Sequence, residues 1–461
     1  MRTIPVLFIF SLMLPSLARA ADTAPAPSGD TTMSAAPTFV VAKWQARLYG
    51  FAEADSFLDS TQSLVDLQGN QLLAAPSSSA GQSGRFQESA RNSRFGIALE
   101  SPEFNGMKSS GIVEMDFLGF DTNPGTAAGT ATSNSEATFY NGAFRLRHAW
   151  ARLSTRYVDI TAGQNWTLFG WNPVFTPGSV SLQGLPGEIY QRTMQIRLSH
   201  VFDLDVAKVE IAGAAVRPYQ RDSSLPGWAG GVRLEFPGWE GFKSTGVAAG
   251  GFTSLQFGFT AEGQEFRALG ATPANPTDYE TAAGTGFAFD ALIPIIPASK
   301  GGSKANALTF VGEASSGSGD SDTFTSLTGG ATIGIPKGGP TTYTVTPSLD
   351  AGPAGFGSDT GALETVDWKS LLLNLQYYTP ILDGAVWING LYSVVTSDNI
   401  GLFAKRGNAF FNEKYGSVGL FVDPTPSFRI GAEGQWTRQQ MTDNSVRVNR
   451  RAQLTFVYMF L

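Results

Sequence analysis

The sequence predicts an all-β chain: a transmembrane antiparallel up-and-down β-barrel of about sixteen strands, with short periplasmic turns and long extracellular loops. Three observations predict it. Apolar and polar residues alternate with a period of two in segment after segment, as in the closing "RRAQLTFVYMFL", where Ala452, Leu454, Phe456, Tyr458 and Phe460 share one face. Short and long links take turns between those segments. The composition is low in charge (15%) and high in aromatics (12%) and glycine (53 residues), a mixture too apolar for the surface of a soluble protein of this length.

The chain reads as three parts. Residues 1–20 carry Arg2, an apolar run over 4–17 and small residues at Ala18 and Ala20, the pattern of a secretory signal peptide. The run is too short, and too broken by Pro5 and Pro15, for an anchor helix. Residues 21–43 are a Pro/Ala-rich leader without hydrophobic period, expected to be disordered. Residues 44–461 form a single barrel domain. Removing 1–20 takes away Arg2 and Arg19 and leaves 30 basic against 39 acidic residues, a net charge of about −9, which argues against nucleic acid as a partner. Cysteine is absent, so an exported chain must be held by one large hydrogen-bonded architecture or by several domains, not by disulfides.

The predicted strands are 46–57, 91–100, 107–117, 144–154, 157–165, 190–201, 205–216, 230–236, 243–252, 286–295, 307–315, 368–379, 385–396, 415–422, 428–437 and 448–460. Tight links such as "SPEFNG", "TR", "FDL", "PGWEG", "PILDG" and "DPTPS" alternate with long links rich in Gly, Ser, Thr and Asn. The link at 297–306 is long for its class. The stretches 256–284 and 317–361 read as long surface loops, the second with room for a hairpin at 341–346.

Backbone groups in hydrocarbon need partners, so a spanning sheet must close on itself, and side chains then alternate between lipid and lumen. An arginine on the lipid face near the midplane costs roughly 2–4 kcal/mol. Charges should therefore keep to one parity. "FRLRHAW" puts Phe144, Leu146 and Trp150 outward and Arg145 and Arg147 inward; "TMQIRLS" puts Arg197 and Gln195 inward. The same reading assigns Arg94, Glu114, Asp116, Arg233, Glu235, Asn374, Gln376, Arg429, Glu433 and Arg451 to the lumen. With sixteen strands that lumen is wide enough for water. Its arginines either select anions by focusing their field across a low-dielectric wall or brace the wall through cross-barrel pairs with the inward carboxylates.

Trp150, Trp368, Tyr377, Tyr378, Trp387, Tyr415, Trp436 and Tyr458 fit aromatic girdles at the membrane interfaces, with ordinary core packing as the alternative. Loop 166–190, with three prolines and several aromatics, either folds inward and narrows the pore or caps the exterior. The only histidines, His148 and His200, fall on the apolar parity. A barrel hydrolase would have to use one of them, and His148 is the position to test; a subunit contact for His148 and the membrane interface for His200 are the structural alternatives. No nucleophile elbow, P-loop or zinc-binding helix motif occurs, so neither catalytic residues, nor a resident metal, nor a cofactor are expected. Asp320 and Asp322 in "SGSGDSD" read as a flexible acidic loop more readily than as a calcium site.

The segments "RLYGFAEADSF", "NSRFGIALESPEFNGMKSSGIVEMDFLGFD", "FRLRHAWARL", "ITAGQNWTLFGW" and "QGLPGEIYQRTMQIRLS" resemble the run of motifs in the DcaP-like porins of Gram-negative bacteria. The resemblance covers about the first half of the barrel. It implies a homotrimeric outer-membrane channel, surrounded by membrane lipid and lipopolysaccharide, that passes small anionic solutes such as dicarboxylates. It places Arg94, Glu114, Asp116, Arg145, Arg147 and Arg197 on the pore. A barrel acting as scaffold or adhesin through its loops is the alternative from another class.

Overall fold

The computed structural model describes residues 38–41, 43–119, 143–181, 184–220, 223–269, 279–299, 302–336 and 349–460. The signal peptide and nearly all of the leader lie outside them, as does the hairpin expected at 341–346. The strands in chain order are β1 Thr38–Val41, β2 Trp44–Asp59, β3 Arg85–Ser89, β4 Arg94–Glu100, β5 Lys108–Gly119, β6 Ala143–Ser154, β7 Asp159–Trp166, β8 Arg192–Asp203, β9 Lys208–Val216 and β10 Gly227–Lys243. They continue with β11 Gly251–Leu269, β12 Tyr279–Ile296, β13 Leu308–Ser318, β14 Ala354–Phe356, β15 Leu363–Thr365, β16 Asp367–Tyr378, β17 Val386–Thr396, β18 Phe410–Thr425, β19 Phe428–Met441 and β20 Val446–Phe460.

Neighbours in sequence pair antiparallel, and β20 returns to β2 from Gly50↔Phe460 to Asp59↔Arg451, which closes the sheet. Both β3 and β4 pair with β2 and form two halves of one stave, β1 is a spur on the foot of β2, and β14 and β15 make a separate hairpin, so the barrel has sixteen staves. The spur at Thr38–Val41 falls inside the stretch expected to be a disordered leader. One end of the barrel carries the links 101–107, 155–158, 204–207, 244–250, 297–307, 379–385 and 426–427; the other carries the long loops, with 442–445 as a short exception.

The predicted strand 243–252 and the predicted turn "PGWEG" are corrected. β10 runs on through that sequence to Lys243, with an irregularity in its register between Phe236 and Glu240, and the turn falls at 244–250. The stretch 256–284, expected to be a loop, instead holds most of β11 and the start of β12. Its inward positions are Gln256, Gly258, Thr260, Glu262 and Gln264, and its outward ones include Ala261 and Gly263, so small and polar residues on both faces erase the alternation.

A bulge in β6 produces a second correction. Glu114 pairs with His148 and Met115 with Leu146, leaving Arg147 as the extra residue. Parity shifts by one beyond it, so Arg147, His148 and Trp150 all turn inward and His148 is 6% exposed. His200 keeps the outward parity and packs edge-on against Phe202.

The girdle expectation is also corrected. Tyr377, Trp436 and Tyr458 keep the outward parity, but Trp368, Tyr378, Trp387 and Tyr415 are buried on the inward side. Trp387 stacks on Phe421 at 3.7 Å and on Tyr378 at 5.4 Å, an interior core near the short-turn end.

The closing seam is tight at Gly50, where φ is +153° and a Cβ would stand 2.1 Å from the Arg94 carbonyl oxygen and 2.8 Å from the Phe460 ring. Gly50→Val is expected to strain the seam by about 1–3 kcal/mol and to lower the temperature at which the barrel loses its compact mobility on unheated gels. Unchanged heat-modifiability would contradict this packing.

Candidate functional site

Loop 167–191 turns into the barrel, and its backbone donors must then find acceptors on the wall. Gly170 N donates to Thr260 Oγ1 (3.1 Å), Gly178 N to Asn374 Oδ1 (3.1 Å), Val180 N to Glu433 Oε2 (3.1 Å) and Ile189 N to Glu313 Oε1 (2.7 Å). Ser179 Oγ also donates to Glu433 Oε1 (2.8 Å), and Gly187 N to Asn70 Oδ1 of loop 60–84 (3.1 Å). Apart from Asn70, these acceptors sit on β11, β13, β16 and β19, so the loop crosses the lumen.

Its apolar side is anchored too. Leu168, Trp171 and Phe175 pack against Ala212, Ala214, Ala229, Leu292 and Val311. The wall glycine Gly258 makes room for two of these rings: a Cβ there would lie 2.7 Å from Trp171 and 2.9 Å from Phe175. The sequence left the loop's direction open; the structure settles it inward. Asp320 and Asp322 also depart from the expected flexible acidic loop: Asp320 is buried and Asp322, half-buried in the same turn, accepts from Gln191 and Gln264.

The opposite wall is basic. Arg145 grips Asp116 with Nε (3.0 Å) and Nη2 (2.6 Å), while Arg147 donates Nε to Glu114 (2.6 Å), Nη1 to Asp116 (2.8 Å) and Nη2 to the Tyr190 hydroxyl (3.2 Å). Tyr49 donates to the other Glu114 oxygen at 3.0 Å, and His148 Nε2 lies 3.9 Å from Glu114. Arg94 stands 3.6 Å from Glu114 and over the Phe51 ring; Arg192 lies over Trp166 and Tyr190.

Four arginines thus meet two carboxylates, an excess of two positive charges. Nε and Nη2 of Arg94 and Nη1 of Arg192 have no hydrogen-bond partner. These donors are buried, held by aromatic rings and fixed carboxylates, and the cluster's uncompensated charge acts on the neighbouring interior as a positive field. Arg145 keeps 33% of its side chain exposed and Arg94 16%, whereas the inward residues of β16 to β20 are almost all buried. The accessible interior therefore lies along the β4 to β10 side.

The remaining expected pore residues divide by role. Arg197 donates to Gln195 (3.1 Å) and to the Trp166 carbonyl (2.7 Å), with no carboxylate within ion-pair distance among the described residues. Arg233 pairs with Glu210 (3.0 Å) and lies 3.7 Å from Glu235. Arg451 is held bidentately by Asp59 (2.9 and 2.8 Å) and covers the Phe57 ring, which makes it a wall brace. Glu433 carries the inward loop and Arg429 grips Asp423 and the turn 244–250, so both are buried against protein and face no open water.

Sequence reasoning missed Arg192, Tyr49, Tyr190 and the inward His148. Arg192 shares parity with Met194 and so reads as outward, and the Tyr49 to Glu114 bond spans strands whose register the sequence does not print. His148 packs against Trp166, and no serine hydroxyl among the described residues bonds to it.

No family model and no curated protein matches the chain. Solved structures do. The outer-membrane channel DcaP of Acinetobacter baumannii aligns with a TM-score of 0.62 at 15% identity, covering 92% of this chain and 100% of that one. An anion-selective porin from Comamonas acidovorans aligns at 0.48 and 8% identity over 90% and 100% of the two chains, and OmpF of Salmonella typhi at 0.46 and 12% over 90% and 98%. The fold is that of the outer-membrane porins, and the DcaP-like resemblance of the first half of the barrel fits it.

Two outcomes test this geometry. Glu114→Ala leaves Arg147, 1% exposed in its side chain, without its main partner, and is expected to cost about 3–5 kcal/mol; Lys108→Ala, removing an exposed pair, should leave thermal unfolding nearly unchanged. The second concerns pH. Burial pushes Glu188 from the ordinary 4.5 up to about 7, against the pull of the Leu185 and Gly184 N–H groups and Lys243. The docked carboxyl keeps its proton to higher pH than a solvated one, so this contribution to docking is complete below about pH 4.5 and is lost as the pH rises through about 7. Proteolysis within 167–191 should accelerate over that window, and Glu188→Gln should flatten the acceleration.

Proposed function

We propose that the protein is a trimeric outer-membrane porin that passes small hydrophilic solutes by passive diffusion and prefers anions, with dicarboxylates as the fitting class. The observation that carries the reading is the unbalanced cluster of Arg94, Arg145, Arg147 and Arg192 around Glu114 and Asp116, with Arg145 33% and Arg94 16% exposed on the side chain. The excess positive charge attracts a solute with two carboxylates as it moves along the wall past the part-exposed Arg145. The outward parity, rich in Leu, Ile, Phe and Val, suits membrane lipid and the acyl chains of lipopolysaccharide.

The adhesin reading loses ground because loops 60–84 and 167–191 spend their polar groups inside the barrel, and residues 323–325 join them there. Reversal potentials in a salt gradient across planar bilayers provide the test. The wild type should favour the anion, and replacing Arg94 and Arg192 together by Gln should move the reversal potential toward zero while steps of current persist. Cation preference in the wild type, or an unchanged potential in the double variant, would contradict the assignment.

A further inference from the structure

The turn 244–250, "STGVAAG", belongs to the short-link end, yet it does not stay at the rim. The β10 to β11 ladder loses register between Phe236 and Glu240, resumes over Glu240–Lys243 against Gly251–Ser254, and carries the turn into the barrel. There Ser244 N donates to Gln376 Oε1 (2.9 Å) and Gln376 Nε2 returns a bond to Ser244 O (3.0 Å), on β16. Val247, 2% exposed, packs with Phe51, Val457 and Met459, the inward residues at the foot of β2 and β20. Counting round the sheet, β12, β13 and β16 to β19 separate β11 from β20, so the turn reaches the far wall.

It also meets the loop that comes from the other side. Ser179 N donates to Thr245 O (3.4 Å), Lys243 Nζ to Pro173 O (3.2 Å), and a Cβ on Gly246, where φ is +90°, would lie 1.9 Å from Ser179 O. Two segments entering from opposite ends touch inside the barrel, against the wall formed by β16 and β19.

One charged side chain makes three contacts with the turn. Arg429 Nη1 donates to Ser244 Oγ (2.7 Å), Gly246 O (2.8 Å) and Ala248 O (3.0 Å), while its Nε and Nη2 are locked on Asp423 (2.6 and 3.0 Å) and its guanidinium lies over Trp387. Carbonyl oxygens at alternate residues of a turn converge on one cation only when the turn is curled around it. The sequence offers Arg429 as a pore-lining charge; its donors are spent on the turn.

We propose that the turn 244–250 is a second constriction, on the periplasmic side, and that Arg429 is the positioning residue that latches it across the lumen. This rests on the porin reading, and it adds that the width of the exit is set by a segment distinct from loop 167–191. Without Arg429 the three contacts on Ser244, Gly246 and Ala248 are lost and the Gln376 bonds, the Ser179 bond and the Val247 packing remain, so the turn leaves the far wall more often and the conductance rises.

Full-length protein in planar bilayers tests it, with three variants: Arg429→Gln, Gly246→Val, which drives a side chain into Ser179, and a deletion of 245–249. All three should raise single-channel conductance by roughly twofold or more, and Arg429→Lys should restore part of the wild-type value. The chain has no cysteine, so Val247→Cys gives a unique thiol; a charged methanethiosulfonate should label it slowly in the parent and roughly tenfold faster with Arg429→Gln, as expected when local opening controls access. If the wild type conducts and the deletion leaves its conductance unchanged, the constriction is refuted whatever Arg429→Gln does. If the deletion widens the channel but Arg429→Gln alters neither conductance nor labelling, the latch is refuted. A wild type that shows no steps refutes the porin reading itself.

Discussion

The whole structure depends on one requirement: inside hydrocarbon every backbone N–H and C=O must be paired within the protein. A sheet meets that requirement only by closing, and here it closes where β20 pairs with β2 from Gly50 to Asp59. Closure fixes the alternation of lipid-facing and lumen-facing side chains, because a slip of one residue would turn Arg451 toward lipid and Phe456 toward water. The same rule governs the segments that enter the lumen. Loop 167–191 and the turn 244–250 carry donors and acceptors away from bulk water, and the inward polar residues of β11, β13, β16 and β19 satisfy them.

Charge in the interior follows from this arrangement. Most inward arginines are neutralised by carboxylates on neighbouring staves: Arg145 and Arg147 by Asp116 and Glu114, Arg233 by Glu210, Arg429 by Asp423, Arg451 by Asp59. Such pairs are costly to break and add little net stability over apolar packing, so their value lies in fixing geometry. The cluster with Arg94 and Arg192 departs from balance, and it does so on the side where the interior is accessible. On the wall beneath the inward loop, Asp290 and Glu313 face each other directly across β12 and β13.

Much of this was legible in the sequence, for a stated reason. A closed barrel in lipid imposes its period on each stave, so the parity of "TMQIRLS" or "LTFVYMF" reports directions that the structure repeats. Legibility fails where the period is diluted or interrupted. Residues 256–269 hide β11 because glycine, alanine, glutamine and threonine serve both faces, and the bulge at Arg147 reverses His148 and Trp150 without a mark in composition. Trp368 was legible by parity with Asn374 and Gln376, but residue type suggested an interface girdle; the inward loops demand an apolar core of their own, and buried tryptophans supply it. Loop 167–191 advertised its unusual aromatics but not its direction, because its acceptors lie on strands remote in sequence.

The most direct measurement is the environment of β20, residue by residue. Spin labels placed singly from 452 to 459 in the lipid-embedded protein should collide with oxygen dissolved in the bilayer at 452, 454, 456 and 458, and be shielded from it at 453, 455, 457 and 459, since Ala452, Leu454, Phe456 and Tyr458 face outward and Gln453, Thr455, Val457 and Met459 are buried inside. Accessibility with a period of two and that phase is what a closed cylinder requires. Uniform accessibility along the strand, or the opposite phase, would contradict it.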